Sequence, residues 1–127
     1  MNTPVRLNIS SHTPVSHLRN APLELRISKL PQFLKNVLDS AVKALSPTQI
    51  ILFGSRARGD ETPLSDWELC FVFDGTNRKA WLHFGEDAEE NARTLLKLDF
   101  VSWHDAPKAL QENITNEGIV LYGVPPH

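Results

Sequence analysis

At 127 residues, 41% hydrophobic and 22% charged, the chain is expected to form one domain with a real core, too short for a catalytic domain plus a separate substrate domain. A net charge of -2 argues against a general nucleic-acid-binding surface, whose mark is a strong basic excess. The single Cys70 excludes an intrachain disulfide framework or a cysteine zinc site. No stretch has the apolar length of a signal peptide or a bilayer span, and the expectation is a cytoplasmic protein that does not contact membranes.

The first twenty or so residues are rich in Ser, Thr, Asn and Pro without a sustained period, which predicts a loose arm over 1–27 ahead of a domain over 28–127. Within the arm, Leu23, Leu25 and Ile27 alternate with polar residues as in a short edge strand. From Leu30 to Leu45 apolar residues recur at three-and-four spacing between Pro31 and Pro47, which predicts a helix. Gln49 to Phe53 is too short for a helix between Pro47 and Gly54 and reads as a buried strand. Ser55 to Arg58 suits a short helix stopped by Gly59, followed by a polar loop closed at Pro63. Trp67 to Phe73 is a second strand, with Trp67, Leu69, Phe71 and Phe73 on one face. The other face begins acidic, at Asp66 and Glu68, and continues as Cys70 and Val72. Asn77 to Leu96 reads as helix in two pieces split at Gly85, with Ala88, Ala92 and Leu95 inward. Leu96 to Trp103 is a third strand, and Asp105 is placed to cap a helix that carries Leu110 and Ile114 inward and ends at Gly118. The run "IVLYG" closes the domain as a strand. These alternations give an α/β or α+β fold, a small mixed sheet flanked by helices.

The chemistry concentrates in "ILFGSRARGDETPLSDWELCFVFD", Ile51 to Asp74. Gly54 and Gly59 have the glycine spacing of a phosphate-binding loop, yet Asp60 and Glu61 stand where that loop needs a lysine and a hydroxyl. Asp66 and Glu68, two apart on a strand, share one side at roughly 6.5 to 7 Å between Cα atoms. Such a pair repels itself unless a proton or a cation intervenes. A hard ion such as Mg²⁺, or Mn²⁺ in its place, takes oxygen ligands and bridges to phosphates, which would offset the missing lysine. Asp99 interrupts an apolar strand, where an unpaired charge is expensive. If the two strands are neighbours, three carboxylates converge, enough for a metal-assisted in-line displacement at phosphorus.

Gly54-Ser55 followed by Asp66-x-Glu68 and a later strand with Asp99 resembles the nucleotidyltransferase superfamily of DNA polymerase beta, and "LFGSRARGD" with "NEGIVLYG" resembles its minimal nucleotidyltransferases. The resemblance covers roughly residues 30 to 123. It implies transfer of a nucleoside monophosphate, AMP from ATP in the reading favoured here, to a protein, RNA or small-molecule acceptor. Gly54 and Ser55, with Arg56 and Arg58, would bind the nucleotide. Asp66, Glu68 and Asp99 would be the catalytic and metal-binding acids, Asp99 acting on the acceptor. Glu68 departs from the superfamily's commoner second Asp and shifts a ligand oxygen by about one bond length. The resemblance also extends to antitoxin halves of pairs whose toxin is a helical HEPN-type RNase, so a helical partner is expected. A non-catalytic module that neutralises its partner by contact alone is the alternative.

Blander readings stand beside these. Arg56 and Arg58 in a polar turn could equally be solvated. The five histidines lack metal-ligand spacing and are expected at the surface. Trp67, Trp81 and Trp103 lie on apolar patterns and belong to the core, Trp81 being the most exposed of them, and Cys70 reads as a small buried hydrophobe. Asp60, Glu61 and "GEDAEENAR" read as solvated.

Overall fold

Helices and strands alternate in a computed structural model that describes residues 14–91 and 98–123. The first described segment is a 3-10 turn, Ser16–Asn20. Helix α1 follows over Leu23–Ser28, then α2 over Gln32–Leu45, strand β1 over Gln49–Phe53 and the single-turn helix α3 over Ser55–Arg58. Strand β2 spans Trp67–Val72, α4 Arg78–Asn91, β3 Leu98–Ser102, α5 Lys108–Glu117 and β4 Ile119–Gly123. The four strands form one sheet in the order β3-β2-β1-β4. β1 runs antiparallel to β2 and β4, while β2 and β3 are parallel. The sheet is mixed, and the parallel pair is joined through α4, as a crossover requires.

The period-two burial of the strands explains the layers. Ile50, Leu52, Trp67, Leu69, Phe71, Ile119 and Leu121 face one way and pack with Leu34, Val37, Leu38, Ala41 and Leu45 of α2 and Phe84 and Ala88 of α4. Ile51, Phe53 and Cys70 face the other way, against Ile114 of α5, with Val72, Val101 and Leu110 around them. Phe71 is the hub of the main core, edge-on to Trp81, Phe84 and Phe100 at centroid distances of 5.8, 5.2 and 5.4 Å. Trp81 is half-buried and stacks on Phe73.

Several expectations need correction. Leu23, Leu25 and Ile27 lie on α1, not on an edge strand. Alternation over five residues also places Leu23 and Ile27 at i, i+4, and Pro22 at the N-cap presets the helical start. Val15 and Leu18 belong to the main core, so the described part of the arm is docked. Helix α4 runs through Gly85 unbroken; a Cβ there would meet nothing within 4 Å, and one glycine costs a helix only about 1 kcal/mol. Asp105 lies in a 3-10 turn, Trp103–Asp105, and pairs with Arg78 at 3.2 Å, while Pro107 takes the N-cap of α5. Ala92, Leu95 and Leu96 lie outside the described residues. Among the described residues no helix is long and apolar enough to cross a membrane.

Candidate functional site

Strand directions gather the site at one end of the sheet. β1 leads into Gly54 there, and because β2 and β4 are antiparallel to β1 while β3 parallels β2, the beginnings of all three other strands meet the end of β1. Phe53 pairs with Glu68, and Glu68 with Asp99. Asp66 immediately precedes β2, and Glu117 ends α5 just before β4. Residues far apart in sequence are therefore neighbours at this edge.

The turn after β1 depends on glycine. Gly54 has φ 82° and Gly59 φ 90°, a region that L side chains rarely enter. A Cβ on Gly54 would also run into the Glu68 carboxylate. The Gly54 carbonyl accepts the N–H groups of Ala57 at 3.1 Å and Arg58 at 3.0 Å, and Ser55 accepts those of Gly59 and Asp60 at 2.8 and 3.1 Å. The Gly54 N–H donates out of the turn, to Glu117 Oε2 at 2.6 Å. Ser55 is half-buried beside it.

The two arginines separate. Arg56 is buried, 1% exposed, and its guanidinium lies 4.3 Å above the Trp67 ring. Its Nε and Nη2 donate to the Ser65 carbonyl at 3.2 and 2.9 Å. Arg56 thus fastens the loop that delivers Asp66 to β2, by a cation stacked on the face of an indole and by charge-assisted bonds. Burial lowers the Arg56 pKa, with Glu61 and Asp66 opposing; its Nη1 and Glu61 Oε1 are buried without hydrogen-bond partners. Glu61, expected to be solvated, is half-buried. Arg58 faces outward, donating from Nη1 to both Glu117 oxygens at 3.2 Å and from Nε to Asp60 at 3.2 Å.

Glu68 sits in a setting that disfavours its charge. Burial raises its pKa, and Asp99 and Asp66 raise it further; Arg58 opposes them, and Glu117 adds a last like charge. Asp66 and Asp99 are half-buried. These oxygen donors have the chemistry a hard divalent ion takes, and their mutual repulsion is what such an ion would relieve. Among the described residues, no three His, Cys, Asp or Glu side chains are drawn together as a coordination shell.

Gly54, Arg58, Asp66, Glu68 and Asp99 therefore meet at one edge, while Arg56 turns inward as a fastener. Sequence reasoning missed Glu117 and Arg19. Arg19 donates from Nη2 to the carbonyls of Ala57 and Glu117, both at 2.8 Å, and from Nη1 to that of Gly118 at 3.1 Å. It ties the turn to the start of β4. Glu117 lies within "NEGIVLYG" and could have been singled out as a carboxylate placed against a strand start. Nothing periodic marks Arg19.

Solved structures of two toxin-antitoxins are among those that share this fold. A toxin-antitoxin crystallised with AMP-PNP aligns with TM-score 0.55 at 21% identity, covering 70% of this chain and 73% of that one. A mutant of the toxin-antitoxin MntA-HpeT aligns with TM-score 0.57 at 18% identity, covering 70% and 71%. No curated protein matches the sequence. Residues 33–125 match the family described as polymerase beta, nucleotidyltransferase. That match spans the turn, the acids and all four strands, and the chain belongs to the polymerase beta nucleotidyltransferase family.

Proposed function

We propose that the chain is a metal-dependent nucleotidyltransferase that moves a nucleoside monophosphate, AMP from ATP, to an acceptor on a helical partner of the HEPN type or on an RNA or small molecule. The observation that carries this reading is the alignment of Glu68 with Asp99 on adjacent parallel strands, beside Asp66 and the Gly54 turn, with like-charge repulsion focused on Glu68. Asp66 and Glu68 would hold a Mg²⁺ or Mn²⁺ ion, with Asp99 as the third acid. The ion would supply charge neutralisation to the phosphates. Gly54, with no Cβ, lets backbone approach the phosphates, Ser55 and Arg58 complete their surroundings, and Arg56 holds the loop that presents Asp66. Asp99 would orient the acceptor hydroxyl and accept its proton as the acceptor oxygen bonds to the α-phosphorus and pyrophosphate leaves. Toxin-antitoxin neighbours, one with AMP-PNP, support a nucleotide and a toxin partner here.

A second reading, contact-only neutralisation of a partner, is favoured by the filling of the turn itself, because Glu68 crowds the space over Gly54 and Glu117 takes its amide. Incubation with Mg²⁺ and each α-labelled nucleoside triphosphate, with and without the co-expressed partner, separates the two. Label on the partner or another acceptor is expected. Full neutralisation of a toxin with no label from any nucleotide would overturn the transferase reading.

A further inference from the structure

Glu117 lies where an anion would lie. Its carboxylate takes the Gly54 N–H at 2.6 Å and bridges to Arg58 Nη1 through both oxygens at 3.2 Å, so the Gly54 amide and the turn's outward cation are both engaged. The side chain is 21% exposed, which leaves these charge-assisted bonds only partly screened. Toward the other acids Glu117 acts as a like charge, since it contributes to the upward shift of Glu68. Its backbone, in contrast, is fastened: Arg19 holds the carbonyls of Glu117 and Gly118. The carboxylate can leave the turn by side-chain rotation while β4 stays in place.

We propose that Glu117 is a resident anion of the Gly54 turn, which a triphosphate must displace to bind, so that this one carboxylate sets the site's affinity for nucleotide. The inference rests on the reading of the site as a triphosphate site. One amide hydrogen cannot serve two anions at 2.6 Å, so a phosphate oxygen and Glu117 compete for it directly. Displacement sacrifices the charge-assisted bonds that Glu117 makes to the Gly54 amide and to Arg58.

Glu117→Gln tests this in the full-length chain, because it keeps the size and an acceptor for the Gly54 amide while removing the charge. Titration with ATP and Mg²⁺ should give a Kd about ten-fold lower than wild type, the scale of one charge-assisted bond. In wild type, the Gly54 amide and Glu117 carboxyl resonances should both shift as ligand is added. Inorganic tripolyphosphate is the second probe. If neither chain takes ATP but the variant takes tripolyphosphate more tightly than wild type, the resident-anion role stands and the nucleotide reading falls. Equal or weaker binding by a variant of unchanged melting temperature overturns the proposal, as does the failure of both chains to take both probes. Should the variant not fold, the wild-type resonances decide: a Gly54 amide that responds to tripolyphosphate while the Glu117 carboxyl does not overturns it as well.

Discussion

At Glu68, burial and the charges of Asp99 and Asp66 all favour the protonated carboxyl. A carboxyl whose pKa is raised by folding binds its proton more readily in the folded chain than in the unfolded one. Its stabilising contribution is therefore full below the ordinary carboxylate value and declines as pH rises through the raised one. Glu68→Gln cannot ionise and should escape that decline. Thermal melts in metal-free buffer from about pH 4 to about pH 8 should show the variant gaining on wild type as pH rises; parallel curves would mean that Glu68 is unstrained. Activity should divide differently among the acids. Asp66→Asn is expected to lose nucleotide binding and transfer together, whereas Asp99→Asn should keep much of the binding and lose about 10² to 10⁴ in rate, the worth of general-base help. Nucleotide titrations beside single-turnover rates check both. Glu68→Asp restores the commoner ligand, and a site built around the longer side chain should lose activity. Cys70 is a simpler case: burial pushes its thiol up to about 12, so the native chain should resist thiol reagents at neutral pH until it is unfolded.

The elements most legible in the sequence are those bounded by backbone chemistry. β1 between Pro47 and Gly54, α3 between Gly54 and Gly59, and β4 after Gly118 occupy the residues expected of them, because proline and glycine act locally. Two readings went wrong: α1 carries a pattern that fits strand or helix, and Gly85 looked like a break although one glycine costs too little to end a helix. The turn before α3 carries Gly54 at a positive φ, with no room for a side chain there. Gly54→Ala should cost about 1 to 3 kcal/mol from the positive-φ extended backbone, a region kept almost entirely to glycine, with more from the Glu68 contact, and should abolish nucleotide binding; chemical denaturation and calorimetry measure the two losses. An alanine variant with wild-type stability would show that the Gly54 geometry is incidental.

Across the whole molecule, the acids stand out in the sequence, Asp66 and Glu68 as a same-side pair on a strand and Asp99 as a charge in an apolar run, but their place at one sheet edge beside Gly54 could not be read there, since it depends on one parallel and two antiparallel pairings. Glu117 and Arg19 were harder still. Glu117 reaches an amide 63 residues away, and Arg19 reaches carbonyls 38, 98 and 99 residues away; main-chain partners leave no trace in side-chain patterning. If the chain works on a partner, co-expression should yield a complex stable to gel filtration, and transfer by the isolated protein at full efficiency would remove the motive for one. Arg19 carries a separate consequence. The family match begins at residue 33, yet Arg19, Val15 and Leu18 lie before it, the first bracing two walls of the site and the others filling the main core. The unit that folds is thus larger than the matched segment. A chain trimmed to the homologous boundary should melt earlier and bind nucleotide less well, and a hybrid that borrows only the homologous segment would inherit the acids without the brace that aligns the turn with β4.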